Sequence, residues 1–172
     1  MTTAEAVAVL GLGAMGLPMA ANLAGRFPVR GFDVVAERRA LAERAGVAPT
    51  GTAAEAVAGA DVVLIAVRDQ AQLEQLLFGE TGIAPRMRRG AVVLLTSTVG
   101  VAGVRAVAPR LAEAGLGLVD APVSGGPARA GDGDLLVVSA PTTTPGRQPR
   151  PSWRSWPQLL CAWVMRPATA RP

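Results

Sequence analysis

Short apolar runs alternate with helix-like stretches along the first four fifths of this 172-residue chain, and this alternation limits the folds open to it. Ala6–Gly11, Val29–Val34, Val47–Thr50, Asp61–Val67, Ala91–Thr96 and Gly117–Ala121 read as strands, with a seventh over Leu135–Ser139. Between them, Ala14–Arg26, Ala36–Ala45, Ala53–Ala58, Gln70–Phe78 and Val101–Ala114 read as helices. Met15, Met19 and Leu23 give the first helix one apolar face, and Gly46 stands just past the end of the second. Thr52 and Glu55 have the spacing of a capping box for the third. Asp61–Val67 is nearly continuous in apolar residues, as a strand covered on both faces should be. Strands alternating with helices predict an α/β fold with a mostly parallel, doubly wound sheet.

One motif gives that architecture a ligand. Gly11-Leu12-Gly13-Ala14-Met15-Gly16 fits G-x-G-x-x-G, follows the first predicted strand and opens the first predicted helix. In such a motif the first glycine makes the tight turn, the second admits a pyrophosphate close to the backbone, and the third lets helix and strand pack closely. Helix N-terminal amides then face the phosphates. Asp33 lies 22 residues beyond Gly11 at the end of the second predicted strand. A carboxylate there accepts hydrogen bonds from a ribose 2′-hydroxyl and repels a 2′-phosphate. Together these features predict a Rossmann-type domain for a nicotinamide dinucleotide. Asp33 favours NAD, while Arg38 and Arg39 nearby leave NADP open.

Composition divides the chain. Residues 1–140 hold 12 arginines against 13 acids, whereas 141–172 hold five arginines, no acid, all three tryptophans, the lone Cys161 and seven of the 14 prolines. The expected organisation is a dinucleotide-binding domain over 1–140 and an Arg/Pro/Trp-rich tail over 141–172 that is poorly ordered or a frameshifted continuation. If Arg150–Arg166 is encoded by GC-rich codons, a shifted frame can encode an acidic helix, a strand and a Gly-Asp turn. The tail's arginines are not patterned onto one face, so nucleic acid is not an expected partner. Trp156–Met165 is short, contains Pro157 and lacks a charged face, which argues against a membrane-surface helix. No apolar run reaches the roughly 20 residues of a membrane span. The start carries Glu5 and no basic cluster, so no signal peptide is expected, and a single cysteine fits a cytoplasmic setting.

The stretch from Gly11 to Leu23, reading Gly-Leu-Gly-Ala-Met-Gly-Leu-Pro-Met-Ala-Ala-Asn-Leu, resembles the opening of the β-hydroxyacid dehydrogenases. That family includes 3-hydroxyisobutyrate dehydrogenase and is related to 6-phosphogluconate dehydrogenase. Phe78–Ile83, Ser97-Thr98-Val99 and Asp120–Pro127 with Ala130 and Gly131 resemble three further family motifs, in order. The resemblance covers about residues 1–140, nearly all of the family's N-terminal domain. It implies that Leu10, Gly11, Leu12, Gly13, Ala14, Met15 and Gly16 hold the pyrophosphate end and Asp33 the adenosine ribose. It further implies that Val67, Arg68 and Thr98 line the cofactor and that Ser124, Gly125 and Gly126 bind a small β-hydroxy acid.

The family moves its proton with a lysine in a helical C-terminal domain that also forms the dimer. This chain has no Lys, His or Tyr, so no catalytic residue is assigned in it. The expectation is an NAD(P)-binding domain without turnover of its own, associating as a homo-oligomer or pairing with an intact relative. The alternative is a non-catalytic module that binds NAD or senses its redox state.

Overall fold

A computed structural model describes residues 6–138 and the short strand Ala140–Pro141. The tail from residue 142 and Ser139, the last residue of the predicted seventh strand, lie outside the described residues. The order of elements is β1 (Val7–Leu10), α1 (Gly16–Ala24), β2 (Val29–Phe32), α2 (Ala36–Arg44), β3 (Ala48–Pro49), α3 (Ala53–Val57), β4 (Val62–Ile65) and α4 (Gln70–Phe78). A 3-10 turn at Ala84–Arg86 precedes β5 (Val92–Leu95), α5 (Gly100–Glu113) and β6 (Gly117–Asp120). Last come β7 (Val123–Ser124), α6 (Gly126–Asp132), β8 (Leu136–Val137) and β9 (Ala140–Pro141).

The main sheet runs β3-β2-β1-β4-β5-β6-β9. Its first six strands are parallel, and β9 pairs antiparallel with β6. Alternating side chains point to opposite faces and both faces are covered, as the apolar strands require. Ala8, Leu10, Val63, Ile65, Val93 and Leu95 pack with Leu73, Leu77, Val107 and Leu111 of α4 and α5. Val7, Val9, Val62, Leu64 and Leu94 pack on the other face with Met19, Ala20 and Leu23 of α1 and Ala42 of α2. The sheet is thus doubly wound, as its alternation predicts.

The register sets a common level across the sheet. Phe32, Leu10, Ile65, Leu95 and Asp120 form one row across β2, β1, β4, β5 and β6. The loops that follow these residues therefore emerge along one edge. Between β1 and β4 the strand order reverses, and such a switch point opens a crevice at the carboxyl ends of the strands.

Three details differ from the sequence reading. The predicted seventh strand does not extend the sheet as one piece: Leu136–Val137 instead pairs antiparallel with Val123–Ser124 in a separate two-stranded ribbon. The intervening helix α6 has no apolar period to announce it, because Gly126–Asp132 contains two glycines and a proline. The capping box is only half formed. Thr52 accepts from the Glu55 N–H at 3.2 Å, while the Glu55 carboxylate accepts from Gly51, one residue before the cap, at 3.0 Å.

Candidate functional site

The loop from Gly11 to Gly16 is shaped by contacts that exclude side chains. Gly11 has φ +93°, and a Cβ on it would stand 2.2 Å from the Ala66 carbonyl oxygen at the end of β4. A Cβ on Gly16 would stand 1.7 Å from the carbonyl oxygen of Gly11 itself. Gly13 differs: the nearest atom to a Cβ there is a guanidinium nitrogen of Arg38 at 3.8 Å. Two glycines are therefore demanded by the protein's own packing, and the middle one meets only the end of the flexible Arg38 side chain. That is the division expected when a ligand supplies the missing contact at Gly13.

The amides of Gly13, Ala14 and Met15 find no acceptor among the described residues. They precede α1, where the helix dipole adds positive potential and Met15 offers no capping side chain. Pro18 sits in the first turn of α1, where a missing N–H is harmless. An anion is the natural partner of such a set. The Leu10 and Leu12 side chains, by contrast, are buried in the core. Leu10 offers its carbonyl oxygen to the Ala66 N–H at 2.9 Å. These two residues can meet a ligand through backbone alone.

Asp33 is 5% exposed, so it is not a surface turn residue. One carboxylate oxygen accepts from the Leu12 N–H at 2.8 Å and the other from the Val35 N–H at 2.9 Å. Arg38 pairs with it at 3.3 Å, and Arg39 donates to its carbonyl oxygen at 2.5 Å. The Leu12 bond crosses from the end of β2 into the glycine loop, so Asp33 helps to fix the loop's shape. Arg38, which the sequence offers only as a neighbour, is the carboxylate's ion-pair partner and remains half exposed.

The remaining expected site residues lie along the same edge. Val67, half-buried, donates its N–H to the Ser97 hydroxyl at 2.8 Å, which ties the end of β4 to the end of β5. Arg68 is exposed, and its N–H is held by Gln72 at 3.1 Å. Thr98 is exposed. Ser124 ends β7 with an exposed hydroxyl that has no partner among the described residues. Gly125, at φ +138°, and Gly126, at φ +76°, lead into α6. Both are backbone states that side chains rarely adopt.

Two residues escape the sequence reading. Ser97 belongs to a motif quoted for its neighbour Thr98, yet it is Ser97 that links two strand ends. Asn22 stands in mid-helix, where asparagine is a poor choice, and its amide reaches α6: it donates to the carbonyl oxygens of Ala130 at 2.6 Å and Gly131 at 2.8 Å. The sequence marks it only as a polar residue in an otherwise apolar helix, within the Gly11–Leu23 stretch that resembles the family's opening.

Asp120, closing β6 on the same edge, has its carboxyl pushed above 3.8 by desolvation. The folded chain therefore holds this proton more tightly than the unfolded chain. The group's contribution to stability falls as pH rises from about 3.8 through its raised value, and is level above it. Asp120→Asn is expected to raise the unfolding midpoint at neutral pH and to reduce that fall. Equal pH profiles of the midpoint in wild type and variant would contradict it.

Residues 6–145 match the NAD-binding domain of 6-phosphogluconate dehydrogenase. The chain belongs to that family. L-Threonate dehydrogenase of Pectobacterium atrosepticum is 36% identical over 141 residues, which are 81% of this chain and 46% of that protein. NAD-dependent L-serine dehydrogenase of Pseudomonas aeruginosa is 37% identical over 77% of this chain and 45% of its own length. The structure of Mycobacterium tuberculosis 3-hydroxyisobutyrate dehydrogenase with L-serine superposes with a TM-score of 0.81 at 32% identity, covering 94% of this chain and 53% of that one. The chain spans about half the length of the curated relatives it matches. The glycine loop, open at Gly13 and rich in free amides, thus sits in an NAD-binding domain of a dehydrogenase family. Among the described residues, no helix is long and apolar enough to cross a membrane, and no three metal-ligating side chains cluster.

Proposed function

We propose that this chain is the nicotinamide-dinucleotide-binding half of a 3-hydroxyisobutyrate dehydrogenase-like oxidoreductase for a small β-hydroxy acid, and that it binds without turning over. The observation that carries this reading is the pairing of amides at Gly13, Ala14 and Met15 that find no acceptor among the described residues with a Gly13 whose Cβ position meets only the Arg38 guanidinium, at 3.8 Å. In this reading, Gly11–Gly16 hold the pyrophosphate. Asp33 meets the adenosine ribose and favours NAD, with Arg38 placed to accept the 2′-phosphate of NADP. Val67 and Arg68 line the cofactor, Thr98 sits near the nicotinamide, and Ser124 with Gly125 and Gly126 binds the substrate's carboxylate and hydroxyl.

The bound dinucleotide supplies hydride acceptance; the protein's task is to bind, orient and manage a proton. The first two tasks have candidates here. The third lacks the family's lysine: the 172 residues contain no Lys, His or Tyr, the hydroxyls of Thr98 and Ser124 do not titrate near neutrality, and only carboxylates and Cys161 are left, none of them assigned this role. A partner chain, a second copy or an intact relative, would cover Leu136 and Val138, which are exposed on and just after β8. Residues 1–140 are proposed as the functional unit, in a cytoplasmic setting.

The test uses the full chain. NADH titrated by fluorescence is expected to saturate. NAD reduction with 3-hydroxyisobutyrate, glycerate, L-threonate or L-serine is expected to stay at background. Clear turnover by the purified chain would refute the argument from the missing lysine, and no NADH binding would refute the assignment of the glycine loop.

A further inference from the structure

The last carbonyls of a helix lack intrahelical donors. In α6, a seven-residue helix ended by Gly133 in the left-handed region, those of Ala130 and Gly131 are met by a side chain from another element. Asn22 lies 108 residues earlier, in α1, and its single amide group donates to both, at 2.6 and 2.8 Å, with the Pro18 carbonyl oxygen of its own helix at 3.3 Å. Around this clip α6 packs closely on α1. Pro18 stands 4.0 Å from where a Cβ of Gly131 would be, and Ala130 is fully buried against the core that holds Met19, Ala20 and Leu23. The same apolar cluster takes in Met15 and Leu17 beside the glycine loop and Val123 beside Ser124. One end of α1 thus carries the glycine loop, and its middle holds the helix that follows Ser124–Gly126.

We infer that Asn22 is a positioning residue that fixes the Ser124–Gly126 loop on the dinucleotide helix, and so sets the spacing between the two ligand loops. This rests on the reading of those loops given above. Neither loop is touched by Asn22 itself. A hydrophobic residue at position 22 would fill space but leave the Gly131 carbonyl without a donor and the Ala130 carbonyl with only the long bond from the Gly133 N–H, at 3.4 Å. An aspartate would set an acceptor against three acceptors.

Amide hydrogen exchange on the full chain tests this, with NADH as the probe. In the wild type, NADH is expected to slow exchange in α6 as well as at Gly13–Met15. Asn22→Ala is expected to exchange about tenfold faster in α6, with β1, β4 and β5 unchanged and NADH affinity within about threefold. It should also lose the NADH-dependent protection of α6. Asn22→Asp is expected to be as loose at neutral pH and to recover as pH falls, because a protonated carboxyl again donates; a role in packing alone gives no such recovery. Exchange in α6 that is unchanged by Asn22→Ala, or that rises equally across the sheet, would overturn the inference. So would a wild type whose α6 ignores bound NADH, an arm that holds even if the variants do not fold. Failure of the wild type to bind NADH would count against the glycine-loop reading instead, while the effect of Asn22→Ala on α6 would still decide the clip.

Discussion

Gly16→Ala is expected to unfold a large part of the population and abolish dinucleotide binding. The new methyl would lie 1.7 Å from the Gly11 carbonyl oxygen, a backbone atom that cannot swing aside. Relief requires parting α1 from the loop or from the end of β4, where the same methyl would stand 3.4 Å from the Ala66 Cβ. A clash of this kind costs about 4 kcal/mol or more, a large share of the ~5–15 kcal/mol that keeps a domain folded. For a chain of this size the unfolding midpoint should fall by roughly 10 °C or more. Gly13→Ala is the informative control. It meets no protein atom closer than 3.8 Å, so its stability should stay within about 0.5 kcal/mol of wild type. Its NADH affinity should drop at least about tenfold, because the methyl occupies the approach of the pyrophosphate. Thermal unfolding and NADH fluorescence separate the two variants. A Gly13→Ala chain that binds NADH like the wild type would remove the pyrophosphate from this loop.

Asp33→Ala is expected to lower stability by about 2–3 kcal/mol and to relax discrimination against NADP. The stability loss comes mainly from the Leu12 N–H, which is left buried without its acceptor, and from the Val35 N–H beside it. Arg38 contributes little to it, because its guanidinium is 48% exposed and water replaces the lost ion pair. The binding effect has a separate origin. Without the carboxylate, nothing at this point repels a 2′-phosphate, and the freed Arg38 can meet one. Asp33→Asn divides the two roles. It keeps one oxygen for the Leu12 N–H, so the midpoint should fall less, yet it loses the charge, so the NAD-to-NADP preference should shrink as in the alanine variant. The measurements are chemical denaturation and the ratio of NAD(H) to NADP(H) dissociation constants. An unchanged ratio in both variants would leave Asp33 as a structural clamp of the loop with no part in cofactor choice.

That double role illustrates what a sequence can and cannot convey. The position of Asp33 after β2 is legible because strand length and motif spacing are local quantities. Its hydrogen bond to Leu12 is not, because that bond joins the ends of two neighbouring strands. Ser97 is hidden for the same reason: its bond to the Val67 N–H exists only once β4 and β5 lie side by side. Helix α6 is missed because its seven residues include two glycines and a proline, and β7 because it is two residues long; β8 falls within the predicted seventh strand, but its pairing with β7 is not legible. Their support comes from α1 and Asn22 and from the pairing of β7 with β8, not from local preference.

By itself the sequence determined the alternation of strands and helices, the glycine loop and its acid, the resemblance to a dehydrogenase family, and a composition of these 172 residues without Lys, His or Tyr. These are matters of residue type and of spacing along the chain. Tertiary structure alone decided the strand order that places Gly11 and Val67 on either side of the switch point, the burial of Asp33, and the clip from Asn22 to α6. Each of these depends on residues 21 to 109 positions apart being brought together, and only burial of the apolar strands, with one register across the sheet, brings them together.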